Sequence, residues 1–344
     1  MSLRKLAFRC FAVLPLCMPL ASAAWAQQPG FYKGKTITIV VGFSPGGGYD
    51  LSARTISRFI GKYIDGNPTV VVQNMPGAGS LSAINYLANI APKDGTYLGT
   101  FSRGIPFEPL VGNKSAQFDP RKLSWIGSPS RETNVMFVRQ ASRAKSIDDL
   151  KTEEVVIATT GGGADTATFP RIINTIFKTK LKIVTGYPGA TETLLAVDRG
   201  EADGMAGLSW GYLKASRPAW IKQQQIRILM QLGLTKAPDL ENVPSALDLV
   251  TDEDDRQLLS FFLARLAIAW PLAAPPNVPA DRVEMLRTAF EKMTKDADFI
   301  AEAERQSIDV SPVFGDEIAS ILAKVYATPP AVLERARQIS EAAR

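Results

Sequence analysis

TITIVVGFSPGGGYDLSARTISRFI, residues 36–60, decides the fold. Ile37, Ile39 and Val41 alternate with β-branched neighbours, which is the pattern of a strand. Gly46, Gly47 and Gly48 then permit backbone angles closed to other residues and let a ligand approach the main chain. Asp50 stands where a helix N-cap belongs, and Ile56, Phe59, Ile60 and Tyr63 follow at helical spacing. Amide groups at such a helix start carry partial positive charge and suit an anion. The turn lacks the Gly-Lys-Ser/Thr of a phosphate-binding P-loop, and GGGYDL lacks the G-x-G-x-x-G spacing of a dinucleotide site.

The strand–glycine turn–helix unit recurs. TVVVQN (69–74) leads into MPGAGS (75–80) and a helix carrying Leu81, Ile84, Leu87 and Ala88. VVIATT (155–160) leads into GGGADT (161–166) and a helix carrying Phe169, Ile172, Ile173, Ile176 and Phe177. KIVTGY (182–187) leads into PGA (188–190) and a helix from Thr191 to about Arg199. Strands alternating with helices imply parallel sheets, whose ligands sit at the carboxyl ends of the strands. The four turns are therefore expected to face one crevice.

The first residues describe an export leader. Arg4, Lys5 and Arg9 precede an apolar run, and Ala24-Trp25-Ala26 is an A-x-A cleavage site, so the mature chain is expected to begin at Gln27. Both cysteines, Cys10 and Cys17, fall in that leader, which leaves no thiol or disulfide chemistry after it. The net charge of +5 owes three cations to the leader; the remainder is nearly neutral and offers no basic footprint for nucleic acid. Histidine is absent, which removes the commonest general base and metal ligand. No cofactor, metal or catalytic residue is expected. The DEDD run at 252–255 is read as the acidic first turn of a helix continuing through Leu258, Leu259 and Phe262.

Elsewhere, TYLGTFS (96–102) completes a βαβαβ unit, 104–124 is irregular, and 124–140 is strand material leading out of it. IRILMQLGL (226–234) is a buried strand. FFLARLAIAWPLAAP (261–275) is an apolar strand or strand pair, although its length also fits a buried helix. Val283, Leu286, Phe290 and Met293, then Ile318, Ile321, Leu322 and Val325, form core-facing helical stripes, with a third helix from Thr328.

VVGFSPGGGYDLSAR, QNMPGAGSLSAINYLA and APKDGTYLGT resemble the opening of the Bug (TctC-like) extracytoplasmic solute receptors of tripartite tricarboxylate transporters. TTGGGADT, TGYPGA, DRGEADGM and PDLENVPSALDL resemble later segments of the same family. The resemblance implies an α/β fold of periplasmic-binding-protein (Venus-flytrap) architecture, each domain a mostly parallel sheet flanked by helices. It implies a first domain of 27–136 plus 256–344, a second of 137–255, and C-terminal helices packed on the first. A small carboxylate ligand and membrane transporter subunits as partners also follow from it. The expected product is a periplasmic monomer and not an enzyme; a sensory receptor for a kinase ectodomain and a secreted enzyme are the other readings.

Matched residue by residue, the first loop is Phe43, Ser44, Pro45, Gly46, Gly47, Gly48 and Asp50, and the second is Gly77, Ala78, Gly79 and Ser80. The far wall takes Thr160, Gly162, Gly163, Ala164, Asp165, Tyr187, Pro188, Gly189 and Asp203. Gly46–Gly48 are expected to donate amides. Asp50 is expected to cap its helix first and touch ligand second, and Asp165 to cap the helix at 166. The family's far-wall loop often carries His; GGGADTATF has none. Arg103 follows a strand at its carboxyl end, where five donors suit a second carboxylate, or stands as a solvated loop residue. Trp210, Tyr212 and Trp220 are expected to pack in the second domain or to form a flat wall for an aromatic acid.

Overall fold

Thr36–Val41 forms β1, and Ile37, Ile39 and Val41 are fully buried. Each such side chain stabilises the fold by about 1.5–3 kcal/mol relative to exposure. The computed structural model describes residues 30–343 apart from 44, 47, 161–163, 188 and 307. The leader and its cleavage point after Ala26 lie outside the described residues, as do Ser44, Gly47, Gly162, Gly163 and Pro188.

The remaining strands are β2 (Thr69–Asn74), β3 (Tyr97–Thr100), β4 (Ser124–Ser128), β5 (Asn134–Arg139) and β6 (Val155–Ala158). They continue with β7 (Leu181–Val184), β8 (Gly204–Ser209), β9 (Ile226–Leu232), β10 (Leu272–Ala274) and β11 (Val313–Phe314). One sheet has the order β11-β4-β10-β3-β1-β2 and the other β7-β6-β8-β5-β9. β2, β1 and β3 are parallel, as are β7, β6 and β8. Both sheets are mixed, with most strands running one way and a minority antiparallel. β10 lies antiparallel between β3 and β4, and β5 antiparallel between β8 and β9. Each inserted strand is the first that the chain makes after changing sheets.

Helices cover both faces of the first sheet. Gly48–Phe59 and Ala280–Thr294 cover one with Ala53, Ile56, Leu286, Phe290 and Met293, all buried. Leu81–Asn89 and Gly315–Tyr326 bring Leu81, Ile84, Leu87, Ile318 and Leu322 to a second apolar cluster. In the second domain, Asp165–Phe177 buries Phe169, Ile172, Ile173, Ile176 and Phe177, the stripe seen in the sequence.

Several expected boundaries move. Residues 124–140 are two strands in different sheets, so the outward crossing lies between Ser128 and Asn134, ahead of residue 136, which is inside β5. Residue 256 lies inside the helix Glu253–Leu263, and the chain rejoins the first sheet only at β10. The apolar run 261–275 is thus the end of that helix, a 3-10 turn over Ala264–Ile268, and a short strand. The last helix, Pro330–Ala343, packs on the helices Asp165–Phe177 and Glu253–Leu263 instead of on the first sheet. The two crossings are stitched together: Glu132 N donates to the Leu266 carbonyl at 2.8 Å, and Trp270 N to Ser128 Oγ at 3.0 Å.

Candidate binding cleft

The carboxyl ends of β1 and β3 face those of β6 and β8 across a cavity of about 820 Å³. Phe43, Gly48, Tyr49, Ala78, Gly79 and Arg103 line it from the first sheet. Thr160, Ala164, Asp165, Gly207, Ser209 and Tyr212 line it from the second, and Glu132, Arg265 and Trp270 from the crossings.

The first glycine loop is held from behind. Asp50 is the third residue of the helix Gly48–Phe59 rather than its N-cap. Its buried carboxylate accepts from Gly46 N (2.8 Å), from Arg54 Nε (2.9 Å) and from Asn74 Nδ2 (2.8 Å). Asn74 Nδ2 also donates to the Phe43 carbonyl at 2.9 Å, fixing the start of the loop to the end of β2. The Arg54 hydrogen bond, helped by the Gly46 amide and Asn74, overcomes the opposing effect of burial and lowers the Asp50 pKa to about 2. Asp50 therefore shapes the loop and does not line the cavity. The N–H groups of the helix's first turn have no intrahelical acceptor and are left for loop, water or ligand.

An aromatic ladder stands beside that helix start. Phe43 stacks on Tyr49 at 4.7 Å between ring centres, and Tyr49 meets Trp270 at 4.8 Å. The Tyr49 hydroxyl accepts from Arg103 N at 3.0 Å and donates to the Ala269 carbonyl at 3.4 Å. It thus joins the first helix, the loop after β3 and the return crossing. Burial raises its pKa, so it remains a neutral phenol.

The second loop is strained. Gly77, Ala78, Gly79 and Ser80 have φ of 144°, 45°, 61° and 85°. Two of these are not glycine, and such left-handed residues cost about 1–3 kcal/mol each unless their surroundings hold them. Ser80 is held: its Oγ donates to the Gly42 carbonyl and accepts from Ser102 N, both at 3.2 Å. Ala78 and Gly79 are thereby presented to the cavity.

The floor is charged. Arg103 NH1 donates to Glu132 and NH2 to Asp165, tying the first sheet to the crossing and to the second domain. Burial alone would lower the Arg103 pKa, but Asp165 and Glu132 outweigh it and hold it above the ordinary arginine value. Asp165 begins its helix but makes no cap; its Oδ2 also accepts from Asn134 Nδ2 at 3.4 Å. Arg265 lies 3.8 Å from Asp165 Oδ1, between the rings of Phe107 and Phe262. Burial lowers its pKa below the ordinary arginine value. Among the described residues no three His, Cys, Asp or Glu side chains gather as a metal site.

Two α/β domains facing one cleft, and chain crossings that insert β5 and β10 antiparallel, can be compared with solved structures. A TctC solute-binding protein from Polaromonas superposes with a TM-score of 0.71 at 16% identity, over 88% of this chain and 99% of its own. The chain has the fold of the TctC and Bug periplasmic binding proteins. MatC from Rhodopseudomonas palustris, solved with malate, gives 0.59 at 18% identity, over 88% of this chain and 99% of its own. A second R. palustris protein, solved with adipate, gives 0.59 at 17%, over 89% and 97%. No protein-family model and no curated protein matches the chain.

Within this TctC and Bug fold, the residues expected at the site fall into two groups. Phe43, Gly48, Ala78, Gly79, Arg103, Thr160, Ala164 and Asp165 line the cavity. Gly46, Asp50, Gly77, Ser80, Tyr187 and Gly189 do not, although the first four shape loops that do. Asp203 is at the wrong end of its strand. It precedes β8, while Gly207, Leu208 and Ser209 at the other end face the cavity, and its carboxylate accepts from Val156 N at 2.9 Å. Trp210 and Trp220 are buried in the second domain's core, and only Tyr212 of the three aromatics reaches the cleft. Tyr49, Glu132, Arg265 and Trp270 were not anticipated. A lone arginine within FFLARLAIAW and charges between two apolar strands in SRETN were the available signals.

Proposed function

We propose that the protein is a periplasmic solute receptor of the Bug (TctC-like) family that binds a small carboxylate in the interdomain cleft and delivers it to a tripartite tricarboxylate-type transporter. The observation that carries this reading is the cavity of about 820 Å³ between the carboxyl ends of two sheets, walled by glycine loops on one side. Backbone amides at a helix start provide anion recognition without a side-chain charge. Two proteins of this fold were solved with malate and with adipate, which supports a di- or tricarboxylate as the first choice. The Phe43–Tyr49–Trp270 ladder also suits an aromatic acid. Contacts from both domains would stabilise a closed form by hinge motion at the two crossings. The role is binding and hand-over, with no chemistry on the ligand.

Thermal unfolding of the purified protein against mono-, di- and tricarboxylates and aromatic acids tests this. A ligand at about a hundred times its Kd adds roughly 2.7 kcal/mol, a shift of several degrees. A shift with one acid class is expected, without turnover of that acid. A folded protein that responds to none of them overturns the reading.

A further inference from the structure

We propose that Arg265 is the side chain that receives a ligand carboxylate at the floor of the cleft, and that Arg103 is not. This deepens the receptor reading above and rests on it. Both guanidinium groups line the same cavity, but their donors are differently committed. Arg103 NH1 and NH2 are taken by Glu132 and Asp165. Arg265 Nε is buried and has no acceptor among the described residues. Among the described residues its ion pair is with Asp165 Oδ1 at 3.8 Å, beyond hydrogen-bond distance, with Glu108 a further negative group of the same cavity. The Asp165 carboxylate is already engaged by Arg103 and Asn134.

The surroundings of Arg265 fix it in place. Its side chain is only 12% exposed, and the rings of Phe107 and Phe262 lie 5.8 and 5.2 Å from the guanidinium carbon. Packing of this kind restricts the guanidinium plane and lowers the local dielectric, which strengthens any charge pair formed there. A buried guanidinium nitrogen without an acceptor is costly in the free protein. A planar carboxylate matches its fork and supplies the missing acceptors. The preferred ligand is then an acid with two anionic ends, one against the glycine wall and one on Arg265.

A matched series separates the possibilities: an alkanoate and an alkanedioate of equal chain length, over several lengths, titrated calorimetrically into wild type and Arg265→Gln. Wild type is expected to favour the dioate. Arg265→Gln is expected to weaken dioate binding at least tenfold, bringing it to the level of the alkanoate, with an unchanged unfolding midpoint. Should Arg265→Gln not fold, Arg265→Lys keeps the charge without the fork and is expected to lose most of the dioate preference. Dioate affinity equal to wild type in the folded variant overturns the assignment while leaving the receptor reading standing. Wild type that binds no acid of the series overturns the receptor reading and the assignment with it.

Discussion

The loop after β3 and the 3-10 turn before β10 each bring one arginine to the cleft floor, and the two are in opposite states. Arg103 is paired with two carboxylates from different parts of the chain, Glu132 on the outward crossing and Asp165 in the second domain. Arg265 packs against two phenyl rings and has no hydrogen-bonded carboxylate among the described residues. Residue type and location are the same; the neighbours differ. A guanidinium paired with two carboxylates holds the structure together, and one without a hydrogen-bonded carboxylate among the described residues is poised for an anion.

The largest expected effect comes from removing the paired arginine. Arg103→Ala would leave Glu132 without its ion-pair partner and Asp165 with only Arg265 at 3.8 Å, and unfolding in urea should show a loss of about 3 kcal/mol. A loss below about 1 kcal/mol would erase the contrast between the two arginines. Gly48→Ala comes next: an added Cβ would lie 2.7 Å from Trp270 Cη2, so the indole must move. Crowding of this kind costs about 1–3 kcal/mol and should weaken acid binding measurably by calorimetry. Wild-type affinity with normal folding would remove the first loop from the site.

Arg265→Met sharpens the comparison through stability. The lost contacts with Phe107 and Phe262 are offset by removal of an under-satisfied charge, so the ligand-free unfolding free energy should change by less than about 1 kcal/mol. A drop as large as that of Arg103→Ala would make Arg265 a structural residue too. The smallest effect is in the acid limb. Asp50 has a pKa of about 2 in the folded protein against an ordinary 3.8, so its contribution is complete above the ordinary value and fades as pH falls through about 2. Asp50→Asn should flatten that part of a stability–pH profile; an unaltered profile would mean that the loop is braced by other groups.

Much of the fold was legible because its signals are local. Alternation in TITIVV, the stripes of Leu81–Ala88 and Phe169–Phe177, and the glycine turns between them depend on neighbours in sequence. The glycine loops at the cleft were legible for the same reason. The misread parts depend on distant partners. Asp165 has the spacing of a cap, yet its carboxylate turns to Arg103, a charge-assisted partner, while the Ala167 and Thr168 amides donate to the Ala164 carbonyl. The family resemblance implies a far-wall position for Asp203, yet it lies at the other end of β8.

The sequence by itself determined the strand and helix segments and the backbone character of the first wall, since both arise from residue type and short-range periodicity. Tertiary structure alone decided where the chain changes sheets, which inserted strands run antiparallel, and how charge is distributed on the cleft floor. The physical reason is that an ion pair is a relation between side chains, and Arg103, Glu132, Asp165 and Arg265 come into range of one another only when both domains and both crossings are in place.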